Sequence, residues 1–393
     1  MKVLVISHTY IAPINRKKWE VLGHLYNDVE LTVIFPKKWP GKLFTHEADD
    51  LSSTYTINRC RFIALDTYNA GNETTYSYHM HQLFFTIKSI RPEIIHVEQG
   101  DNALSYFQAI MCAKILRLST KFLFFTWINW RPQFSLKYRL LWSPITRFNI
   151  KNSHGAITGN KHAQALLEEK NIQNKILVLP QLGVDLNLFN NTHDNHTNNS
   201  REQKKTILYL GRLVEEKGIF LLLHAFVNLS EKFPNWQLRF IGSGPSEKQL
   251  LNDIKKIQKY ACKNRITHEK TIAHESIAQV LKESEILVLP SYDTINWREQ
   301  FGHVLIEAMS CGVAVVGSDA GEIPNVIADA GLIFEQKNKD SLLAQLQALM
   351  QDDELRKAYG KKGRERVEKY YSHEAIAAQT YTYWNYILKQ NAS

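Results

Sequence analysis

The stretch Glu299-Gln-Phe-Gly-His-Val-Leu-Ile-Glu307 continues as Ala308-Met-Ser-Cys-Gly-Val-Ala-Val-Val316 and predicts a loop, a short helix and a buried strand. Apolar spacing predicts the helix over His303–Cys311, with Gly312 as its C-cap and Val313–Val316 as the strand. Glu299 therefore precedes the helix, and Glu307 lies inside it. The first N–H groups of a helix have no acceptor within the helix, so an anion can bind there. The stretch predicts an anion site with a carboxylate on either side.

Length and composition indicate a soluble globular protein. The chain has 393 residues, of which 44% are hydrophobic and 22% charged, which is enough for two domains with separate cores. No apolar run reaches the roughly 18 residues of a transmembrane helix, and Met1–Ser7 has the pattern of a strand rather than a signal peptide. The scattered cysteines are typical of reduced, structural thiols, so we expect a cytoplasmic protein. They are Cys60, Cys112, Cys262 and Cys311.

The positive charge is concentrated in the first half of the chain. The formal net charge is +9, and the span between Asn102 and Leu167 contains no Asp or Glu. A basic face of this kind suits phosphates, acidic lipid headgroups or nucleic acid. The basic residues of the span are Lys114, Arg117, Lys121, Arg131, Lys137, Arg139, Arg147, Lys151 and Lys161.

Predicted strands and helices alternate in both halves of the chain. This alternation predicts an α/β fold of two doubly wound, Rossmann-like domains, which we expect to face each other across a cleft. Residues Asn190–Ser200 contain no apolar side chain, which is typical of a linker. Residues 52–64 predict one strand and residues 338–369 predict helix. The predicted organisation is an N-terminal domain over 1–190, a linker over 191–203, a C-terminal domain over 204–370 and a helix over 371–393 that packs back on the N-terminal domain.

Two loops of the second domain carry residues that suit phosphate. Arg212 and Lys217 leave the same predicted loop, so an Arg fork and a mobile Lys charge can reach one diphosphate; the alternative is two solvated surface cations. Gly242-Ser-Gly-Pro245 follows the next strand, and its glycines allow close backbone approach to a ligand. Glu322, further on, either caps the next short helix or faces the cleft.

Together these motifs resemble the C-terminal domain of the retaining GT-B glycosyltransferases of group 1, glycosyltransferase family 4. Pro180-Gln-Leu-Gly-Val-Asp185 also resembles the family's Pro-Asn-Gly-Val-Asp segment. The resemblance covers most of the chain and is most specific from residue 175 to 335. The three motifs that carry it, in the family's order, are Gly211-Arg-Leu-Val-Glu-Glu-Lys-Gly218, Gly242-Ser-Gly-Pro245 and Glu299-Gln-Phe-Gly302 with Glu307.

The resemblance implies a role for each charged residue of these motifs. Arg212 and Lys217 would neutralise a diphosphate leaving group, and Glu299 would contact the hydroxyls of the donor sugar. Glu307 would hydrogen-bond the ribose of a UDP- or GDP-linked sugar. The two cations would replace a metal, so no metal and no cofactor besides the donor substrate is expected. The other donor-binding candidates are Gly211, Gly242, Gly244, Gly302, His303 and Val304.

The first half departs from the family pattern, which has a Gly-Gly pair after the first strand and, in many members, a His after the strand over Phe122–Thr126. Here the first loop reads Pro13-Ile-Asn-Arg-Lys-Lys18, and the later position reads Thr126-Trp-Ile-Asn-Trp130. We expect the acceptor to be contacted from these loops and from strand carboxyl ends, although a lone His there is also typical of a structural residue. The acceptor-side candidates are Asn15, Arg16, Asn129, Glu98 and His96, with His8 at a similar place.

Residues 127–151 interleave aromatic and basic side chains. One interpretation is a patch that rests on an anionic membrane and reaches a lipid-linked acceptor. The other is a helix with aromatic residues in the core and solvated cations outside. The stretch contains Trp127, Trp130, Phe134, Tyr138, Trp142 and Phe148, and Arg131, Lys137, Arg139, Arg147 and Lys151.

The sequence thus predicts a retaining hexosyltransferase that moves a sugar from a nucleotide-diphosphate donor to a lipid or surface-polysaccharide acceptor. We expect it in the cytoplasm, and the membrane interpretation of residues 127–151 places it at the inner membrane face. Nucleic acid is a poorer partner, because no recognised binding module is present. A Rossmann dehydrogenase is disfavoured, since no GxGxxG follows the first strand. A non-catalytic GT-B-like binding subunit remains the main alternative, because of the departures in the first half.

Overall fold

A computed structural model describes residues 1–40, 46–47, 54–131, 136–170, 172, 176–191, 204–260, 262 and 264–390. The chain divides into two compact units. Unit 1 is Met1–Gly183 together with His373–Ser393, and unit 2 is Val184–Ser372. Of the predicted linker, only Asn191 is among the described residues.

Unit 1 is built on a sheet of eight described strands. In chain order they are β1 (Lys2–Ile6), β2 (Glu30–Pro36), β3 (Thr54–Ile57), β4 (Cys60–Leu65), β5 (Ile94–Val97), β6 (Lys121–Thr126), β7 (Gly155–Thr158) and β8 (Ile176–Val178). Across the sheet the order is β8-β7-β6-β5-β1-β2-β4-β3. Neighbours pair in parallel except β3, which runs antiparallel to β4. Short ribbons join Lys38–Trp39 to His46–Glu47 and Thr67–Tyr68 to Ser77–Tyr78.

Both faces of the central strand β1 are buried, which explains its continuous apolar run. Val3 and Val5 belong to the core on one face, while Leu4 and Ile6 belong to the core on the other. Six helices cover the sheet: α1 (Lys17–Leu25), α2 (Met80–Ile90), α3 (Leu104–Ile115), α4 (Leu136–Asn152), α5 (Lys161–Glu168) and α13 (His373–Lys389).

The last helix, α13, returns the chain to unit 1 and packs on α1. The rings of Trp19 and Trp384 stack with centroids 5.6 Å apart, and those of Tyr26 and Tyr381 stack at 3.8 Å. Trp19 and Trp384 are both fully buried in the core that also contains Val3 and Val5. The C-terminal helix is therefore an integral part of this core.

Unit 2 is a parallel sheet with helices α6 to α12. The strands are β9 (Lys205–Leu210), β10 (Trp236–Ile241), β11 (Ile266–Glu269), β12 (Ile286–Leu289), β13 (Ala314–Ser318) and β14 (Leu332–Phe334), in the order β11-β10-β9-β12-β13-β14. The helices are α6 (Ile219–Ser230), α7 (Glu247–Tyr260), α8 (His274–Lys282), α9 (His303–Ser310), α10 (Ile323–Ile327), α11 (Lys339–Gln351) and α12 (Asp353–Tyr370).

The opening stretch of the sequence folds as the predicted helix and strand, α9 and β13. At the end of α9 the Gly312 N–H donates to the Met309 carbonyl at 3.0 Å, and the Val313 N–H donates to the Ala308 carbonyl at 3.0 Å. Gly312 has a φ of +76°. This pair of bonds around a left-handed residue is the Schellman motif, so the predicted C-cap is confirmed.

Three details of the predicted secondary structure were wrong. The described part of the stretch over 52–64, from residue 54 on, forms not one strand but the hairpin β3–β4, which turns at Asn58 and Arg59 with φ of 46° and 64°, the geometry of a type I′ turn. The helical stretch over 338–369 divides at Asp352, whose side chain accepts from the Leu355 N–H and caps α12. The short strands β11 and β14 were not predicted, because three or four residues are too few to show a periodicity.

The strand order fixes a switch point in each sheet. In unit 2 the chain moves outward from β9 through β10 and β11, then crosses to β12 on the other side of β9. In unit 1 the same reversal separates β1 from β5. Loops that follow the two strands at a switch point diverge and leave a crevice, where ligands of open α/β sheets bind. Each unit therefore has one favoured place for a site.

No described helix is both long and apolar enough to cross a membrane. All four cysteines are buried and unpaired, as predicted for structural thiols.

The stacked tryptophans of α1 and α13 predict a large loss of stability on truncation. Trp384→Ala leaves a cavity beside Trp19 and should lower the free energy of unfolding by about 3–5 kcal/mol. Urea denaturation followed by circular dichroism measures the change. Tyr386→Ala on the same helix is the control, since Tyr386 is 38% exposed. A loss at Trp384 no larger than at Tyr386 would contradict the role of α13 in this core.

Candidate active site

The centre of the unit 2 site is an ion pair between two loops that meet at the switch point. Lys217 lies in the loop after β9 and Glu299 in the loop after β12, and Lys217 Nζ lies 2.5 Å from Glu299 Oε2. The Lys217 ammonium also lies 5.1 Å from the centre of the Trp297 ring. Both side chains are largely buried but keep some exposure, 18% for Lys217 and 9% for Glu299. The structure thus brings together two of the predicted catalytic residues, 82 positions apart in the chain.

Glu299 is held from several directions besides Lys217. The fully buried Ser291 donates its hydroxyl to Glu299 Oε2 at 2.9 Å. Ser318 in turn donates to the Ser291 carbonyl at 2.5 Å. The Glu322 N–H donates to the Glu299 carbonyl at 3.1 Å, which fixes the backbone as well. The position of this carboxylate is therefore set by β12, β13 and the start of α10.

The loops after β9 and β10 pack on each other through glycines. The Gly211 N–H donates to the Ile241 carbonyl at 3.0 Å. A Cβ on Gly242 would lie 1.9 Å from the Gly211 carbonyl oxygen, and one on Gly244 would lie 2.4 Å from the Leu213 carbonyl oxygen. These glycines are therefore required for the contact between the two loops. The sequence analysis had explained them only by close approach of the backbone to a ligand.

Arg212 lies on the exposed side of the same loop. Its carbonyl accepts from the Tyr209 hydroxyl at 2.6 Å, which anchors the backbone. No described carboxylate forms an ion pair with its guanidinium. The cation therefore projects from an anchored loop with its donors available, close in sequence to Lys217.

The start of helix α9 forms another wall of the site. Its N-cap, Gly302, has φ of +83°, a conformation that favours glycine, and a Cβ there would lie 2.8 Å from the Leu289 side chain. His303 and Val304 in the first turn are half-buried. Burial lowers the pKa of His303 to about 4, partly offset by Glu299. A neutral imidazole therefore stands beside the helix start near pH 7.

Glu307 lies one turn further along α9 and is half-buried. Burial raises the pKa of its carboxyl from 4.5 to about 7. No cation among the described residues forms an ion pair with Glu307, and a hydroxyl donor from a ligand would stabilise its ionised form. Perturbed carboxyls of this kind are concentrated at functional sites.

Glu322 is 4% exposed and stands at the N-cap of α10, but its side chain makes no capping hydrogen bond. The capping interpretation of this residue is therefore wrong. Burial raises the pKa of the Tyr371 phenol; Arg366 opposes this shift, and the charge of Glu322 adds to it.

Unit 1 carries a second Lys–Glu pair at its own switch point. Lys18 Nζ lies 2.6 Å from Glu98 Oε1, and both side chains are only 2% exposed. The Tyr10 hydroxyl donates to the other carboxylate oxygen of Glu98, and Gln181 donates to it at 3.2 Å. Burial raises the pKa of Glu98 and lowers that of Lys18. This network ties the loop after β1 to the loop after β5 inside unit 1.

The other acceptor-side candidates are mostly interior residues in this arrangement. Arg16 is buried and donates to the Tyr10 carbonyl at 2.5 Å and the Ile11 carbonyl at 2.8 Å. His96 is fully buried near the edges of the rings of Trp19 and Trp384, and burial, with a smaller effect of Lys18, lowers its pKa to about 3.

Asn15 keeps partial exposure and donates to the Thr9 carbonyl at 2.8 Å. Asn129 is 2% exposed, and His8 stacks on Trp39 at 4.4 Å. Asn15 and His8 therefore keep partly exposed side chains, whereas Arg16, His96, Glu98 and Asn129 are buried within unit 1.

The basic and aromatic stretch divides between core and surface. Trp127 donates its indole N–H to Gln181 at 3.1 Å, and Trp142 donates to the Asn102 carbonyl at 2.9 Å. Phe148 packs against Phe107. The core interpretation therefore holds for Trp127 and Phe148, which pack against the two cores of unit 1. Trp142 is half-buried and belongs to neither core. Phe134 lies outside the described residues, as do the side chains of Lys137, Tyr138 and Arg139.

Comparison with known proteins adds the family. Residues 190–366 match the family model described as Glycosyl transferases group 1. This segment of the chain is therefore similar to the group 1 glycosyl transferases. This confirms the resemblance found in the sequence motifs. The whole Lys217–Glu299 site lies inside the matched glycosyl transferase segment.

Relatives and solved structures extend this result to the fold. Sulfoquinovosyl transferase SQD2 from Arabidopsis thaliana is 26% identical over 297 residues, 72% of this chain and 55% of that protein. Phosphatidyl-myo-inositol mannosyltransferase from Mycolicibacterium smegmatis is 30% identical over 171 residues, 42% of this chain and 41% of that protein. The chain spans about half the length of the curated relatives it matches.

Among solved structures, HepE from Anabaena in complex with UDP superposes with a TM-score of 0.70 at 13% identity, over 98% of this chain and 100% of that one. Such a likeness shows the fold, and the predicted GT-B class is confirmed.

Sequence reasoning missed several residues of the Lys18–Glu98 network and of the Lys217–Glu299 site. Lys18 and Gln181 hold Glu98, and Trp297 flanks Lys217. No local sequence pattern around Lys18 or Gln181 indicates these contacts, because the partners are far apart in the chain.

The raised pKa of Glu307 predicts a pH dependence of stability. Between about pH 4.5 and 7 the folded state keeps a proton that the unfolded chain has lost, so stability falls as pH rises through that window. Glu307→Gln has no such proton and should gain up to about 3 kcal/mol over the wild type above that window. Urea denaturation at several pH values measures the difference. The same gain in Glu365→Gln, on the exposed face of α12, would contradict the assignment.

Proposed function

We propose that this protein is a retaining glycosyltransferase that moves a hexose from a nucleotide-diphosphate sugar to a lipid or surface-polysaccharide acceptor. The observation that carries the proposal is the Lys217–Glu299 pair at the unit 2 switch point. Arg212 on the same loop adds a second cation without a described carboxylate partner. A diphosphate has the charge to engage both cations, and a sugar has the hydroxyls to engage the acid.

The proposed chemistry is charge stabilisation of a departing diphosphate. As the bond from the anomeric carbon to the phosphate oxygen breaks, negative charge grows on the diphosphate. Arg212 and Lys217 neutralise that charge, which is the contribution a metal ion makes in other transferases. The N–H groups at the start of α9 point their partial positive charges at the diphosphate and add to this stabilisation.

In the proposed retaining step, the acceptor hydroxyl attacks the anomeric carbon from the face that the diphosphate leaves. A phosphate oxygen of the leaving group takes the hydroxyl proton, so no protein nucleophile is needed. Glu299 accepts hydrogen bonds from sugar hydroxyls and orients the ring. Glu307 accepts a hydrogen bond from the ribose, which lowers its raised pKa on binding.

Two features of similar proteins support the choice of substrates. HepE is described in complex with UDP, which favours a uridine donor over a guanosine one. The Mycolicibacterium smegmatis relative is named for transfer of mannose to phosphatidyl-myo-inositol, which favours a lipid acceptor. The acid-free span over residues 102–167 in unit 1 suits an anionic acceptor or membrane surface. An inner-membrane location at the cytoplasmic face fits these features.

Loss of the central pair should remove turnover. Glu299→Gln and Lys217→Met should each reduce hydrolysis of the matching UDP-sugar by about 100-fold or more. Coupled detection of UDP measures the rate, and proton NMR of the released sugar reports whether the anomer is retained. Lys232→Met, an exposed lysine at the end of α6, is the matched control. Full activity in both variants, or an inverted anomer, would refute the proposed mechanism.

The Arg212 cation should act mainly on the diphosphate. Arg212→Ala should weaken UDP binding by about tenfold while leaving uridine binding unchanged. UDP at 100 times its Kd should stabilise the wild type by about 2.7 kcal/mol, so thermal shifts with UDP and GDP also identify the base. Binding of UDP without turnover of any UDP-sugar would favour the alternative, a non-catalytic GT-B-like subunit.

A further inference from the structure

A cavity of about 690 Å³ lies within unit 1, at the carboxyl end of β6 and between α4 and α5. Its wall is formed mainly by apolar and aromatic side chains. It is of the size that holds small ligands in other proteins, and neither the Lys18–Glu98 network nor the unit 2 site includes its lining residues. The apolar lining residues are Ile128, Trp130, Leu140, Trp142, Leu166 and Leu167.

After the ion pairs among its lining residues are formed, this cavity retains one positive charge. Asp101 is neutralised by Lys170 at 2.5 Å, and Glu169 by Arg131 at 2.8 Å. Arg147 also lines the cavity and is exposed, and no described carboxylate pairs with it. An apolar wall with one unneutralised guanidinium matches an amphipathic anion.

We propose that this cavity binds a single alkyl chain that ends in a phosphate, as the lipid part of the acceptor. The chain lies against the apolar wall and releases ordered water from it. The phosphate lies at the rim, where the Arg147 fork can bind two of its oxygens. A free glycan fits less well, because its hydroxyls would face apolar side chains without partners.

The assignment of this ligand as acceptor rests on the proposed transfer, but its binding does not. Binding is therefore measured directly and separately from turnover. Two tryptophans line the cavity, Trp130 and Trp142, and bromine at the end of an alkyl chain quenches tryptophan fluorescence on contact. The probe is dodecyl phosphate brominated at the chain end, used below its critical micelle concentration.

The wild type should show saturable quenching by this probe and none with inorganic phosphate. Ser143→Phe places a ring in the cavity and should weaken binding by about tenfold, whereas Ser143→Ala should not. Leu166→Phe repeats the test from α5 if Ser143→Phe proves unstable in a melting experiment. The proposal would be overturned if the wild type showed no saturable quenching. It would also be overturned if Ser143→Phe and Leu166→Phe were both quenched as strongly as the wild type.

The role of the Arg147 charge is tested with substitutions on helix α4. Arg147→Gln should weaken the phosphate probe by about tenfold while leaving brominated dodecanol unaffected. Lys151→Gln, an exposed cation on α4 that does not line the cavity, is the matched control. Equal losses in Arg147→Gln and Lys151→Gln would show diffuse attraction and would overturn the specific role of Arg147.

Vesicles that contain brominated phosphatidic acid distinguish a membrane lipid from a free amphiphile. Quenching by vesicles that is lost in Ser143→Phe indicates a lipid drawn from the bilayer; quenching by the soluble probe alone indicates a free amphiphile. Hydrolysis of the UDP-sugar without acceptor should be unchanged in Ser143→Phe. If the wild type hydrolyses the UDP-sugar but does not bind the probe, the proposed lipid site is refuted and the proposed glycosyl transfer is not. If it binds the probe but hydrolyses no UDP-sugar, the proposed transfer is refuted and the lipid site is not.

Discussion

The reversal of strand order at β9 and β12 is the constraint on which the unit 2 site depends. Because the chain winds outward from β9 in both directions, the loops after these two strands diverge at one sheet edge. Each loop supplies one member of the Lys217–Glu299 pair. Without that reversal, a lysine and a glutamate 82 positions apart would have no reason to meet. The loop glycines and the buried serines then refine a position that topology has already set.

Unit 1 repeats the arrangement with a different outcome. Its switch point also joins a lysine from the first turn of α1, Lys18, to a glutamate from the loop across the reversal, Glu98. There the pair is almost completely buried and is closed off by Tyr10 and Gln181. In unit 2 the pair keeps some exposure, and the neighbouring Arg212 forms no ion pair with a carboxylate among the described residues. The same topological place therefore serves as a structural tie in one unit and as a candidate ligand site in the other.

Sequence analysis predicted the unit 2 site better than the contacts of the unit 1 candidates, and the reason is physical. The unit 2 motifs are local: Gly302 to Gly312 define a helix with both its caps, and Gly211 to Gly218 define one loop. The unit 1 network joins Lys18 to Gln181 across 163 positions, and nothing local to either residue indicates that contact. Likewise Arg16 and His96 occupy strand or loop ends that suit a ligand, yet they contact the unit's own backbone and rings. The cavity between α4 and α5 is a matter of packing, which apolar periodicity does not reveal.

Entry of a diphosphate would change the Lys217–Glu299 pair, and the surrounding contacts determine how. The phosphate competes for the Lys217 ammonium, which would leave Glu299 without its cation. Ser291 donates to the same carboxylate oxygen and is itself held through Ser318 on β13. Since those hydrogen bonds do not involve Lys217, the carboxylate keeps its position when the lysine moves. Sugar hydroxyls can then replace the lost ammonium. Lys217 can therefore move to a phosphate while Glu299 stays in place, because Glu299 is held by residues that follow or end two strands.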